Sequence, residues 1–212
     1  TIGRVTTDDN DNTYFTGESN TIRRIDGSSS QLTTLATMPD KIIGLGSDPA
    51  GNLFIGLGSS TIQRVDYRDA GTGTISTIIG DGVVGNQDGP ATGGARVNYA
   101  RDFVYSNSDG ARKLYFPNAT GRVRVLTAGV GTGAAAWASG TVTTVAGSDN
   151  GAPFAPGNWG DGADLTGNPA AARLNDPTDM TLDADGHLVV SDDTGQTISG
   201  TNTGPQQVRY IS

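Results

Sequence analysis

Short apolar runs alternate with polar positions again and again along this chain, and the pattern is most legible between Gly160 and Ser191. There Met180 and Leu182 point one way while Thr181 and Asp183 point the other, a period of two that specifies a strand. The Asp185-Gly186 pair supplies the positive φ of a tight hairpin turn, and Leu188-Val189-Val190 returns beside the first strand. One hairpin cannot bury both of its faces, so the rest of the chain must stack more of the same on each side.

It does so in four copies. Thr13-Tyr14-Phe15, Leu53-Phe54-Ile55, Leu114-Tyr115-Phe116 and Leu188-Val189-Val190 align as second strands, each after a turn rich in Asp, Asn and Gly. First strands are predicted around Val5, Ile42 to Leu45, Phe103 to Tyr105 and Met180 to Leu182. Third strands are predicted at Ile22 to Ile25, Ile62 to Val65, Val123 to Val125 and Val208 to Ile211. A fourth strand follows in three copies, at Leu32 to Leu35, Ile75 to Ile78 and Val142 to Val145, and the fourth copy reaches Ser212 before one.

Four antiparallel strands per repeat, at an irregular spacing above ~40 residues, predict an all-β fold, a β-propeller with about four blades of which the last is incomplete. The blades are expected at about 1–40, 41–100, 101–177 and 178–212 of one domain. Ala-Arg-Leu-Asn-Asp-Pro (172–177), then Leu182 to Asp192, then Val-Arg-Tyr-Ile (208–211), resemble the repeat of NHL-type β-propellers, and Thr144-Val145-Ala146-Gly147 is similar to that family's blade-closing strand. The resemblance implies a propeller usually closed by six blades. It leaves three expectations open: a longer protein with further blades, a small four-bladed ring, or an open edge that accepts a strand from another chain.

Composition sharpens this picture. Of 22 acidic residues one is Glu, and of 14 basic residues two are Lys, a bias toward turn formers that predicts almost no helix. The net charge of −8 repels a polyanion, so nucleic acid is excluded as a partner. No apolar run is long enough to span a bilayer. The chain holds no cysteine, which rules out disulfides and thiolate metal sites and fits an exported bacterial protein. It starts at Thr1 without an initiator Met, which sets the expectation of a processed or trimmed form.

Candidate chemistry concentrates on one face. Strand alternation puts the long segments 80–100, 147–177 and 191–206 together there, and segment 127–140, with Trp137, is expected to be mobile on the opposite face. Within 153–164, Phe154 and Trp159 lie beside Asp161 and Asp164, the flat apolar plate and hydrogen-bonding groups of a sugar- or peptide-binding surface; the competing reading has Trp159 plug a groove between blades. Asp192 and Asp193 join this ligand-binding set. Asp8, Asp9, Asp11, Asp183 and Asp185 offer a weak Ca2+ signal, outweighed by the preference of Asp for tight turns, so no cofactor is expected. Arg96 and Arg173 are expected to clamp Asp88 and Asp161, and Asn118-Ala119-Thr120 fits an N-glycosylation sequon.

Catalytic groups are scarce. His187 is the one histidine and sits in a hairpin turn, and no nucleophile–base pair is visible. The reading is therefore a non-catalytic, secreted or surface-exposed module that binds protein or glycan or assembles with copies of itself by strand addition. The alternative is a lactonase-like hydrolase, which the resemblance would equip with an axial metal held by Glu18, Asn98 and Asn175.

Overall fold

The runs that alternate in the sequence are strands in the structure. The computed structural model describes residues 3–66, 73–119, 121–147, 174, 176–193, 197–198, 201–202 and 207–211. Blade 1 comprises β1 (Val5–Thr7), β2 (Thr13–Thr16), β3 (Thr21–Ile25) and β4 (Leu32–Thr37), and blade 2 comprises β5 (Ile42–Ser47), β6 (Leu53–Leu57), β7 (Ile62–Asp66) and β8 (Thr74–Ile79). After β9 (Gly89–Pro90), blade 3 holds β10 (Val104–Ser106), β11 (Lys113–Asn118), β12 (Arg122–Thr127) and β13 (Thr141–Ala146), with helix α1 (Gly133–Ala138) before β13. Blade 4 holds β14 (Asp176–Leu182) and β15 (Leu188–Asp193). The small pair β16 (Thr197–Ile198) and β17 (Thr201–Asn202) comes next, and β18 (Gln207–Ile211) completes the described blade. Within each blade the strands are antiparallel in chain order from the inner strand outward, with β9 added outside β13 in blade 3, and together the blades form a four-bladed β-propeller. The register shifts at one equivalent place in three blades, at Ile22/Arg23, Ile62/Gln63 and Val123/Arg124, so the copies share their irregularity as well as their strands.

The alternation decides which blade each side chain meets. In blade 2, Leu45, Leu53, Ile55 and Val65 face back into a cluster with Tyr14 and Ile22 of blade 1. Phe54 and Ile62 face forward into a cluster with Phe103, Leu114 and Phe116 of blade 3. A third cluster joins Val123 and Ala146 to Met180, Leu188 and Val190 of blade 4. Blades 2 and 3 approach closely: a Cβ on Gly56 would stand 2.0 Å from the Ala100 carbonyl oxygen, so any side chain there would force the blades apart.

Two segments differ from expectation. Segment 127–140 packs tightly, because α1 sets Trp137 edge-on to Phe54 at 5.2 Å and to Tyr105 at 6.3 Å, with the guanidinium groups of Arg64 and Arg112 over its ring. Segment 80–100 is a strap rather than an open loop. It leaves β8, adds β9 outside β13, and buries Ala91, Ala95, Val97 and Ala100 in the core between blades 2 and 3. Its carboxylate is held by an unforeseen residue. Arg124, wholly buried, donates to Asp88 at 2.8 and 3.0 Å and to the backbone carbonyls of Gln87 and Arg96, while Arg96 pairs with Asp81 instead. Both Asp88 oxygens are taken by Arg124 and Thr144, and the Arg96 side chain reaches Asp81. Asn118, also fully buried, accepts from the Asn98 amide, which removes it as a glycan acceptor in the folded chain.

Candidate functional site at the axis

The turns explain the Asp-rich composition. Asp8 accepts the amides of Asn10 and Asn12, the Asn12 side chain and the Tyr14 hydroxyl. Asp48 accepts the amides of Ala50 and Asn52, and Asp183 those of Asp185 and His187 together with the Tyr210 hydroxyl. Asp11 takes the left-handed conformation, φ 58°, that Gly51, Gly110 and Gly186 take in the other three turns. Among the described residues, Asp183, Asp185 and His187 bring three ligand-type atoms within 4.8 Å of one another. Both Asp183 oxygens already accept from the turn and from Tyr210, so the cluster closes a hairpin as Asp8 and Asp48 do.

These bonds give acid sensitivity a sign. The His187 amide, helped by the Tyr210 hydroxyl, the His187 ring and the Asp185 amide against a desolvation penalty, holds the Asp183 carboxyl down to about 2. Its stabilisation is full above the ordinary value of 3.8 and is lost as pH falls toward 2. The stability gap between wild type and Asp183→Asn, measured by urea titration, should be widest above about pH 5 and close toward about pH 2.

Four equivalent positions surround the propeller axis where the inner strands enter: Arg4, Gly44, Asp102 and Asp179, each one residue before Val5, Leu45, Phe103 and Met180. Arg4 donates to the Ile43 carbonyl of blade 2 at 3.1 Å and to the Asp179 carboxylate of blade 4 at 3.0 Å. Asp102 of blade 3 accepts the Met180 amide at 2.7 Å. Burial raises the Asp102 carboxyl, and the charge of Asp179 adds to this while the amides of Met180 and Phe103 and the charge of Arg4 oppose it. Beside them Arg101 pairs with Asp176 at 2.6 Å, and the Asp176 amide donates to buried Asp192. Blades 1, 3 and 4 thus bring interleaved guanidinium and carboxylate groups to one mouth, and blade 2 adds a backbone carbonyl. Solved structures share this fold.

An auxiliary nutrient binding protein from Bacteroides ovatus superposes with a TM-score of 0.66 at 22% identity, over 88% of this chain and 44% of that one. A second auxiliary nutrient binding protein, from Bacteroides thetaiotaomicron, matches with a TM-score of 0.63 at 22% identity, over 96% and 46%. A gluconolactonase from Xanthomonas campestris matches with a TM-score of 0.54 at 12% identity, over 90% and 54%. The chain spans about half the length of each of these structures, and at such identities the likeness shows the fold alone. No protein-family model matches the sequence, and no curated protein matches it.

Of the residues singled out from sequence, Asp192 lies buried beside Asp176, and Asp193 pairs with Asp176 across the β14–β15 ladder. Phe154, Trp159, Asp161, Asp164, Arg173 and Asn175 lie outside the described residues, on the segment that leads from β13 into β14. Glu18 stands exposed in a 3-10 turn between β2 and β3, a strand out from the axis, and Asn98 sits on the strap. Arg4, Asp102 and Asp179 were missed, although the repeat alignment carries the signal: a charged residue precedes the inner-strand core position in three of four copies. No helix among the described residues is long and apolar enough to cross a membrane.

Proposed function

We propose that this chain is a non-catalytic binding module of a secreted or surface-exposed NHL-type propeller, and that it takes a glycan at the axial mouth. The observation that carries this reading is the cluster of Arg4, Asp102 and Asp179, to which Ile43 of the remaining blade adds its carbonyl. Carboxylates accept from sugar hydroxyls and guanidinium groups donate to them, so interleaved Asp and Arg suit a polyhydroxylated ligand. The Asp179 side chain is 64% exposed, so its carboxylate can accept from a ligand there. The nutrient binding proteins among the structural neighbours support a binding role. Phe154 and Trp159, singled out from sequence as a flat apolar plate, are the stacking residues of the proposed site.

Calorimetry against a panel of soluble oligosaccharides tests the reading. At least one should bind saturably, and Asp179→Ala should weaken it at least tenfold, which corresponds to about 1.4 kcal/mol. Trp159→Ala should weaken the same ligand. Failure of the whole panel to bind, or binding indifferent to Asp179→Ala, would sink the idea.

A further inference from the structure

Among the described residues, five other than glycine take the left-handed conformation, and four of them, Asp11, Asn20, Ser30 and Ser60, have short polar side chains. The fifth is Tyr99, at φ 50°, where a bulky side chain makes that conformation costly. Its neighbours leave it no other path. On one side the Asn98 amide donates to the buried Asn118 side chain at 2.7 Å, and the Asn98 carbonyl accepts the Ala119 amide at 2.9 Å. On the other side the Ala100 carbonyl fills the space left by Gly44 and Gly56, where a Cβ would stand 2.4 and 2.0 Å from it. Such a corner suits Gly or Asn. The Tyr99 ring is not held by the fold. It is 44% exposed, and among the described residues it has no hydrogen bond and no contact with another ring or a guanidinium group.

The place of Tyr99 in the repeat is at the mouth. Asn98-Tyr99-Ala100-Arg101-Asp102-Phe103 leads into blade 3 as Asn175-Asp176-Pro177-Thr178-Asp179-Met180 leads into blade 4, so Tyr99 occupies the position of Asp176. Asp176 meets Arg101 at 2.6 Å, and Tyr99 stands two residues before Arg101 and three before Asp102. Three residues of chain span at most about 11 Å, which bounds the separation of the Tyr99 and Asp102 Cα atoms. We propose that Tyr99 is a platform on which a sugar ring stacks at the axial mouth, and that the glycan is neutral rather than a uronate or another acidic sugar. This rests on the glycan reading above and names its substrate class. An aromatic face packs on the C–H face of a pyranose, while the phenol hydroxyl and the Asp179 carboxylate remain for the sugar hydroxyls. The pinned backbone fixes the Cα–Cβ direction in advance, so binding has less to order. Charge sets the class of sugar. Among the described residues of the mouth, Asp102, Asp176, Asp179 and buried Asp192 stand with Arg4 and Arg101, four carboxylates against two guanidinium groups, in a chain of net charge −8. That excess repels a carboxylated sugar and leaves a neutral one unaffected.

The test is calorimetry of the full chain against cello-, xylo- and manno-oligosaccharides and against oligogalacturonates, with thermal denaturation of each variant. A neutral oligosaccharide should bind and the oligogalacturonates should not. Tyr99→Asn should weaken binding by about tenfold or more and leave Tm at or above the wild-type value, because Asn relieves the strain that Tyr bears. Tyr99→Gly provides a second variant with the same loss of binding. Tyr99→Phe keeps the ring and should bind within about threefold of wild type. Tyr99→Asn binding like wild type, beside an Asp179→Ala protein that binds weakly, overturns the platform and leaves the axial reading standing. Weak binding by Tyr99→Asn with Asp179→Ala unaffected does the reverse, keeping the platform and removing the axial carboxylate. A panel in which no oligosaccharide binds overturns both, and a preference for oligogalacturonates overturns the neutral class. A Tm well below wild type in Tyr99→Asn would show that the ring serves the fold, and also overturns the proposal.

Discussion

Trp137→Ala should lower the unfolding free energy by about 4 kcal/mol, the range for emptying a buried aromatic site, and so reduce Tm by roughly 8–16 °C in a chain of this size. The ring is almost wholly buried between Phe54 of blade 2 and Tyr105 of blade 3, so its removal opens a cavity that two sheets and a helix must share. Rigid ladders on both sides limit collapse into that space. Its indole N–H makes no hydrogen bond, so the contact is packing and cation–π contact alone. Trp137→Phe should therefore recover most of the loss, and thermal denaturation of the three proteins checks both statements. A Trp137→Ala protein as stable as wild type would mean that blades 2 and 3 are held by the strap without the helix.

Asp88→Ala should cost about 3 kcal/mol for a different reason. The Arg124 guanidinium is fully buried, and among the described residues Asp88 is the carboxylate paired with it, which also accepts the Thr144 amide at 2.8 Å. Taking one partner from a buried ion pair costs more than the pair contributes relative to apolar residues. The double variant Asp88→Ala with Arg124→Met should accordingly be more stable than Asp88→Ala alone, a non-additivity that chemical denaturation reads directly. Simple addition of the two single effects would show that the buried charge finds other compensation.

The strands could be read because strand periodicity and turn chemistry are local. The alternation around Met180 and Leu188, and the Asp-x-x-Gly turns, carry their own register. The blade-to-blade partners could not be read in the same way. Nothing near Asp88 marks Arg124 as its partner, since the two lie 36 residues apart and a guanidinium usually seeks water. Trp137 was misplaced because its Gly- and Ala-rich surroundings look like a loop, whereas small residues are what allow a short helix to enter a groove between sheets. The axial ring is an intermediate case. Arg4, Asp102 and Asp179 share no local motif, and their kinship shows once four copies are laid over one another and one position is followed around the wheel.

The strap has a consequence for how this molecule comes apart. Residues 80–100 follow blade 2 along the chain, yet their hydrogen bonds run to β13, Arg124 and Asn118 of blade 3. In a simple array each module touches its neighbours alone and can melt in turn. Here the two middle modules are laced by a shared length of backbone, so neither can lose its order without releasing the other. Blades 2 and 3 thus unfold as one cooperative pair, bound more closely to each other than their separate sheets imply.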